Sequence, residues 1–239
     1  MNNNQVQPEN RPSIISDKQI DQSYVAKYVT GVFGWMFLAL SITAVTALLV
    51  ANSPAINLIL GNKLVFFGLM IFQLVMVGYL SIRIEKMSST TATAVFLGYS
   101  FITGLTFAVL FLVYSAASLF LTFAITAGTF GIMAAVGYFT KADLTSFGKL
   151  LFMGLIGIVL ASIVNFFMKS PTLYWIISYV GIAVFVGLIA YDTQKIKAYA
   201  LLETEEARKK GAILGALALY LDFINLFLML LRLFGRGRD

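Results

Sequence analysis

The stretch GAILGALALYLDFINLFLMLL, residues 211–231, decides the class of fold. These 21 residues are long enough to cross the hydrocarbon core of a bilayer as a helix, and Asp222 is the one charge among them. A central Asp costs roughly 2.5 to 3.5 kcal/mol on insertion scales, so it normally faces a cavity or a partner rather than lipid. The first question is therefore which residues accompany Asp222.

The composition of the whole chain is that of an integral membrane protein. Of the 239 residues 59% are hydrophobic and 12% charged, with a mean hydropathy of +0.88. Neither Cys nor His is present. This excludes disulfides, thiolate or imidazole metal sites and Ser-His or Cys-His catalysis, and it leaves carboxylates as the candidates for sensing protons near neutral pH. We expect no bound cofactor.

Uncharged runs predict an all-α protein with seven transmembrane helices. Residues 1–22 are too polar to pack and are predicted to be a disordered cytoplasmic tail, whereas residues 23–239 form a single membrane domain. The predicted helices cover residues 28–51, 64–82, two segments between 87 and 140 that divide at 114–116, and then 150–168, 172–191 and 211–231.

The distribution of Lys and Arg predicts a cytoplasmic N-terminus. Basic residues gather in segments on that side, while the outer loops hold Lys63 and Lys169. The net charge of +6 lies in short loops beside apolar runs, which indicates contact with lipid headgroups rather than nucleic acid. Seven spans place Arg232, Arg236 and Arg238 outside, so either the rule is broken there or the last segment re-enters. We expect seven full spans in a bacterial inner membrane, with an internal eukaryotic membrane as the alternative.

This orientation brings three charged residues to comparable depths. Arg83 follows predicted helix two, Asp192 follows predicted helix six, and both ends are cytoplasmic. Asp222 lies about 16 Å from the same side, at a helical rise of roughly 1.5 Å per residue. The three side chains are therefore predicted to form a cluster at the cytoplasmic mouth, where Arg can hold a carboxylate through two parallel hydrogen bonds.

Two segments resemble the signature stretches of the transmembrane Bax-inhibitor-motif family, in particular its bacterial branch. They are Tyr191–Ile196, YDTQKI, and Leu219–Phe227, LYLDFINLF. The resemblance extends over nearly the whole membrane region and includes Gly104–Thr106, Lys141–Leu144, Asn165 and Gly235. It implies a seven-helix fold whose last helix is surrounded by the first six, and a calcium leak channel whose opening depends on pH. It also implies that Asp192 and Asp222 form the sensor and that Arg83 can latch onto Asp192.

Two adjacent carboxylates support such a mechanism without histidine. Held close in a poorly solvated site, they cannot easily both ionise and therefore titrate as a unit. Ca²⁺ prefers six to eight oxygen ligands, and Asp192 and Asp222 with Asn225 or water supply a partial shell. A partial shell suits conduction, because an ion must leave as readily as it enters. Asn165 is a further candidate for lining the pore.

Each of these residues also has a structural interpretation. Asp192 can form an interfacial ion pair with Lys195, three positions later, and Arg83 can be an ordinary cytoplasmic positive charge. Asp222 and Asn165 can make hydrogen bonds between helices. Two glycines at G-x-x-x-G spacing, Gly211 and Gly215, indicate close helix packing.

Two other classes of function are alternatives to a channel. One is a non-conducting regulator that binds other membrane proteins, for example a membrane protease. The other is an intramembrane aspartyl protease, which also carries aspartates on helices six and seven. Tyr191 and Asp192 match half of that signature, but Tyr220-Leu221 precedes Asp222 instead of Gly-x-Gly, and no Pro-Ala-Leu element follows. We expect no enzymatic activity. The expected partners are the lipid bilayer, Ca²⁺, protons and other membrane proteins.

Overall fold

The computed structural model describes residues 22–237, and this part of the chain is helical. The described residues form α1 (Gln22–Ala51), α2 (Ala55–Gly61), α3 (Lys63–Arg83), α4 (Ser89–Phe107), α5 (Leu110–Val113), α6 (Ala116–Phe139), α7 (Thr145–Met168), α8 (Pro171–Tyr199) and α9 (Glu205–Phe234), with a 3₁₀ turn at Ile84–Lys86. The predicted disordered tail lies outside the described residues, apart from Gln22.

Seven of these segments are long and apolar enough to cross a membrane, which confirms the predicted number of spans. The predicted division at 114–116 is also confirmed, because α5 ends at Val113 and α6 begins at Ala116. Ser115 caps α6, and its side chain accepts a hydrogen bond from Ser118 N at 3.3 Å. The short helix α2, between the first and second spans, was not predicted.

The last two spans are longer than their uncharged runs. Helix α8 continues to Tyr199 and α9 begins at Glu205. The prediction that Asp192 marks the end of its helix is therefore wrong, since seven helical residues follow it. Charge ends the apolar run without ending the helix, because a helical backbone satisfies its own hydrogen bonds whichever side chains it carries.

Helix α9 is the central element of the bundle. It is the most buried span and packs mainly against α1, α4, α6 and α8. In contrast, α3 packs mainly against α4, and α7 packs mainly against α8. The prediction that the last helix is enclosed by the others is thus confirmed, with α3 and α7 forming the periphery.

Glycines allow close approach at the contact between α8 and α9. A Cβ atom on Gly215 would lie 2.6 Å from Ile196 Cγ1, and one on Gly211 would lie 3.0 Å from Tyr199 Cβ. The close packing predicted from this pair is therefore confirmed. On the other side of α8, Gly148 of α7 leaves room for the ring of Tyr191.

Hydrogen bonds define two ends of the bundle, which we call the N-terminal and C-terminal faces. At the N-terminal face, Glu206 of α9 accepts from Ser89 N and Oγ at 2.7 and 2.9 Å. Tyr28 Oη of α1 donates to Arg208 O there at 2.7 Å. At the C-terminal face, Arg236 N donates to Ser118 Oγ at 2.8 Å. Helix α9 therefore runs from one face to the other without re-entering.

Candidate functional site

The two aspartates predicted to form a pair meet between α8 and α9. Their carboxyl groups are close enough to share a proton. Asp222 is buried, with 5% of its surface exposed, whereas Asp192 is partly buried. Asp222 Oδ2 is buried without a hydrogen-bond partner among the described residues. The structure thus places an incompletely satisfied carboxyl pair within two membrane helices.

This pair lines a cavity of about 780 Å³ bounded by α3, α7, α8 and α9. Apolar side chains such as Phe152, Phe185 and Leu217 form much of its wall. The polar and charged groups are concentrated on a few positions: Ser81, Lys149, Tyr191, Asp192, Lys195, Tyr199, Asp222 and Asn225. A space of this volume with several polar groups is suited to hold water or a hydrated ion.

Arg83 does not join the pair in this conformation. It is exposed at the end of α3, it is not among the residues that line the cavity, and within residues 22–237 it forms no ion pair with Asp192. The predicted cluster of two carboxylates and one guanidinium is therefore present as a carboxyl pair without the guanidinium.

Lys195 lines the cavity with a positively charged side chain and lies on the same helix as Asp192. Its Nζ lies 5.8 Å from the centroid of the Tyr191 ring and 5.9 Å from that of Tyr199, and it interacts with the Tyr199 hydroxyl. It interacts electrostatically with Asp192, but its Nζ is not within the 4.0 Å of an ion pair. The predicted Asp192–Lys195 ion pair is therefore absent from the described residues.

The two candidate asparagines occupy different places. Asn225 lies three residues after Asp222, lines the cavity and donates through Nδ2 to Leu221 O at 2.8 Å. Asn165 is near the C-terminal end of α7, away from the cavity, and its Oδ1 accepts from Ser170 N at 3.0 Å. Asn165 thus shapes the turn into α8, where Lys169 has a positive φ of 51°. The structure brings Asn225, and not Asn165, to the aspartates.

Comparison with known proteins identifies the family. The family described as "Inhibitor of apoptosis-promoting Bax1" matches residues 25–239. The chain belongs to this Bax-inhibitor family. It is 50% identical over 230 residues to the inner membrane protein YbhL of Escherichia coli K12, covering 95% of this chain and 97% of the relative. An uncharacterized protein of Borreliella burgdorferi is 43% identical over 216 residues, 89% of this chain and 93% of the relative.

A third relative, an uncharacterized protein of Deinococcus radiodurans, is 39% identical over 229 residues and covers 95% of this chain and 96% of that protein. These similarities span the whole membrane domain. The resemblance seen in the YDTQKI and LYLDFINLF segments is therefore confirmed, and the chain is a multi-pass membrane protein of the Bax-inhibitor family.

Sequence reasoning did not assign Ser81, Lys149 or Tyr199 to the site of this Bax-inhibitor protein. Tyr199 was detectable, because Asp192, Lys195 and Tyr199 follow one another at spacings of three and four residues and so share one helical face. Lys149 and Ser81 are on other helices, and their position depends on how α7 and α3 pack around α8 and α9. No local pattern contains that information.

The donor set of this site limits what it can bind. Among the described residues there is no group of three or more Asp, Glu, His or Cys side chains that could hold a metal ion. Two carboxyl groups and the Asn225 amide supply fewer oxygens than the six to eight that Ca²⁺ prefers. The arrangement can share a proton between two carboxyls and can contact a passing cation, with water completing the shell.

Proposed function

We propose that this protein is a pH-sensitive calcium leak of the bacterial inner membrane, with Asp192 and Asp222 as proton sensor and ion site. The observation that carries the proposal is the contact between two carboxyl groups at the wall of the 780 Å³ cavity, with Asp222 Oδ2 left without a partner among the described residues. Intramembrane carboxyl groups are rare and usually mark ion pathways or proton relays.

The proton dependence follows from the contact between the carboxyl groups. Two carboxylates that touch repel each other strongly, so the pair keeps one shared proton and titrates as a unit. While the proton is shared, the hydrogen bond holds the side chains of Asp192 and Asp222 together. When it leaves, the repulsion separates them and exposes oxygens to a cation. Ca²⁺ flux therefore rises with pH across the range in which the pair loses its proton.

Weak coordination makes this a leak rather than a storage site. Asp192, Asp222 and Asn225 offer a partial oxygen shell, so a Ca²⁺ ion keeps several waters and leaves readily. Beyond Asp222, α9 is packed with buried apolar residues that include Phe223, Leu226 and Phe227. Conduction to the C-terminal face thus requires a second conformation in which this packing opens.

Arg83 is the proposed latch of a further, closed conformation. A guanidinium can hold a carboxylate through two parallel hydrogen bonds, so pairing with Asp192 would close the N-terminal entrance. The motion needed is that of α3 toward α8. Helix α3 belongs to the least buried span. Of the residues in its most apolar stretch 6% are buried, compared with 72% for the span of α9, so displacement of α3 breaks few contacts.

The distribution of charge and a relative both indicate where the protein is located. The N-terminal face carries most of the basic residues, as expected for the cytoplasmic side. The relative that is 50% identical is named an inner membrane protein. We therefore place the chain in a bacterial inner membrane with the N-terminal face in the cytoplasm.

Ca²⁺ flux into proteoliposomes tests the proposal. Purified protein is reconstituted with a Ca²⁺-sensitive dye inside, and flux is measured over a series of pH values. Asp192→Asn and Asp222→Asn should each abolish the pH dependence, because an amide cannot give up the shared proton. Unchanged flux and an unchanged pH profile in both variants would refute the proposal.

Asp143→Asn is the matched control. Asp143 lies in the loop before α7, where hydrogen bonds from the Thr145 side chain and backbone hold the pKa of its carboxyl below the usual value. It is therefore ionised throughout the neutral range and does not line the cavity. Its replacement should leave the pH profile of the flux unchanged.

The same preparation tests the other two classes of function. A non-conducting regulator would give no flux in proteoliposomes and would instead co-purify with a membrane protein from its host. An aspartyl protease would cleave membrane peptides, and the cleavage would stop in both Asn variants. The proposal expects Ca²⁺ flux without peptide cleavage.

A further inference from the structure

We propose that Lys195 is a tethered cation that competes with the transported ion for Asp192, and that the hydroxyl of Tyr199 holds this cation back. Lys195 would then set the strength of Ca²⁺ binding and the preference for divalent ions. The inference rests on the proposed function, because it assumes that Asp192 receives a cation. It adds a residue that determines the affinity and selectivity of the same site.

The position of the Lys195 ammonium group carries the argument. It lies in the cavity, above the rings of Tyr191 and Tyr199, and interacts with the Tyr199 hydroxyl. The ring of Tyr191 is itself fixed against Gly148 of α7. The ammonium is near enough to Asp192 to interact with it, yet the two do not form an ion pair in the described structure.

This placement leaves the oxygens of Asp192 open to another cation. A lysine on the next turn of the same helix has a side chain long enough to reach such a carboxylate and form an ion pair with it. Here the rings of Tyr191 and Tyr199 and the Tyr199 hydroxyl compete with the carboxylate for the ammonium. Lys195 thus contributes positive charge to the cavity without occupying the position of the transported ion.

The four helices around the cavity differ in the charge that they bring to the carboxyl pair. Helix α8 contributes Lys195, α7 contributes Lys149, and α9 and α3 contribute the neutral Asn225 and Ser81. The repulsion between a fixed positive charge and an entering ion is proportional to the charge of the ion, so it is twice as large for Ca²⁺ as for Na⁺. Lys195 therefore weakens the binding of divalent ions most, which keeps Ca²⁺ exchange fast.

Equilibrium binding to the purified full-length protein tests this without transport. Calorimetric titration with Ca²⁺ alone, and Na⁺ in competition, is carried out at one fixed alkaline pH. Lys195→Met should tighten Ca²⁺ binding roughly five- to tenfold, the order expected when a unit charge near a partly buried ion is removed. Na⁺ binding should tighten less. Lys195→Arg keeps the charge and should bind Ca²⁺ as the wild type does.

Tyr199→Phe should act in the opposite direction. It keeps the aromatic ring but removes the hydroxyl with which Lys195 interacts. The ammonium is then free to close onto Asp192, and Ca²⁺ binding should weaken several-fold. A purely structural role of Lys195 and Tyr199 would not move Ca²⁺ affinity in opposite directions.

Lys141→Met is the control for general surface charge. Lys141 is exposed in the loop between α6 and α7, on the same face of the bundle, and does not line the cavity. It should leave Ca²⁺ affinity unchanged. The inference is overturned if Lys195→Met binds Ca²⁺ no more tightly than the wild type, or if Lys141→Met has the same effect.

Measurements of Ca²⁺ binding and of Ca²⁺ flux distinguish failure of the proposed leak from failure of the role of Lys195. If the wild type binds Ca²⁺ and Lys195→Met tightens the binding but no variant gives flux in proteoliposomes, the proposed leak is wrong and the role of Lys195 stands. If the wild type gives flux while Lys195→Met leaves Ca²⁺ affinity unchanged, the role of Lys195 is wrong and the leak stands. A wild type that binds no Ca²⁺ overturns the role of Lys195.

Discussion

Tyr220 and Asp222 lie two residues apart on α9 and have opposite environments. Tyr220 faces α1 and α4, where its Oη shares a 2.7 Å hydrogen bond with Thr43 Oγ1 and its ring packs edge-on against Phe96 and Tyr99. Asp222 faces the cavity with one oxygen unsatisfied among the described residues. One side of the helix therefore fixes α9, and the adjacent side is left able to respond to a ligand or proton.

We expect Thr43 and Tyr220 to be energetically coupled. Thr43→Val and Tyr220→Phe each remove this hydrogen bond. In Tyr220→Phe the Thr43 hydroxyl still donates to Ser100 O, 2.9 Å away. A double-mutant cycle on unfolding in detergent should give a coupling of about 0.5–1.5 kcal/mol, within the range of side-chain hydrogen bonds between membrane helices. If the effects of the two single substitutions on the free energy of unfolding are additive, the contact does not contribute to stability.

The pairing of Asp192 with Asp222 was predictable from sequence, whereas the absence of Arg83 from the cavity was not. Two carboxylates in apolar helices at similar depth are unusual enough to imply contact. Arg83 and Lys195 are both basic residues at the N-terminal face, so composition cannot separate them. What separates them is packing: α8 carries Lys195 into the cavity beside Tyr199, whereas α3 ends with Arg83 exposed.

At the scale of elements, the apolar runs predicted the helices more reliably than their ends. The division between α5 and α6 was predictable, because weakly polar residues interrupt an otherwise uncharged run. The ends of α8 and α9 were not, since Lys195 and Lys197 lie in a helix that continues to Tyr199. Lys197 is held there by a 2.7 Å hydrogen bond to Tyr138 O of α6, a contact that no local pattern shows.

Two glycines of α6 test the contact between α6 and α8. A Cβ on Gly137 would collide with the backbone carbonyl of Ala190, whereas a Cβ on Gly131 meets nothing within 4 Å. Gly137→Ala should lower the free energy of unfolding by about 1–3 kcal/mol, because a backbone cannot yield as a side chain can. Gly131→Ala should be neutral or stabilise by about 0.5–1 kcal/mol, the difference in helix propensity.

Thermal unfolding of the two purified variants in detergent measures this difference. The substitution is the same and the helix is the same, so propensity and detergent effects cancel between them. Ala190 lies two residues before Asp192, so a shift of α8 in Gly137→Ala should also disturb the carboxyl pair. Equal stability of the two variants would show that α6 and α8 are not in close contact at Gly137.

At the scale of the whole molecule, packing divides the bundle into a core and a periphery. In the most apolar stretch of α9, 72% of the residues are buried, whereas the corresponding values for the spans of α3 and α7 are 6% and 11%. These two peripheral helices bound the cavity that contains the aspartates. Displacement of α3 or α7 thus changes access to the pair while the contacts of α9 with α1, α4, α6 and α8 stay in place.

The distribution of basic residues predicts how the whole molecule is oriented in the membrane. Most basic residues of the described chain lie at the N-terminal face, namely Lys27, Arg83, Lys86, Lys141, Lys149, Lys195, Lys197, Arg208, Lys209 and Lys210. The C-terminal face holds Lys63, Lys169, Arg232 and Arg236. Since α9 crosses completely, Arg236 lies at the face opposite to the one where α1 begins. We expect the N-terminal face to be cytoplasmic despite the terminal arginines, because the earlier spans carry the larger excess of charge.

Labelling of single cysteines tests this topology, because the natural chain has none and any introduced thiol is unique. Lys141→Cys and Arg236→Cys place thiols at exposed positions on opposite faces. In intact cells a membrane-impermeant maleimide should label Arg236→Cys and spare Lys141→Cys, and both should react after the membrane is permeabilised. Labelling of Lys141→Cys in intact cells would invert the topology and place the cavity entrance, the aspartates and Lys195 on the outer side.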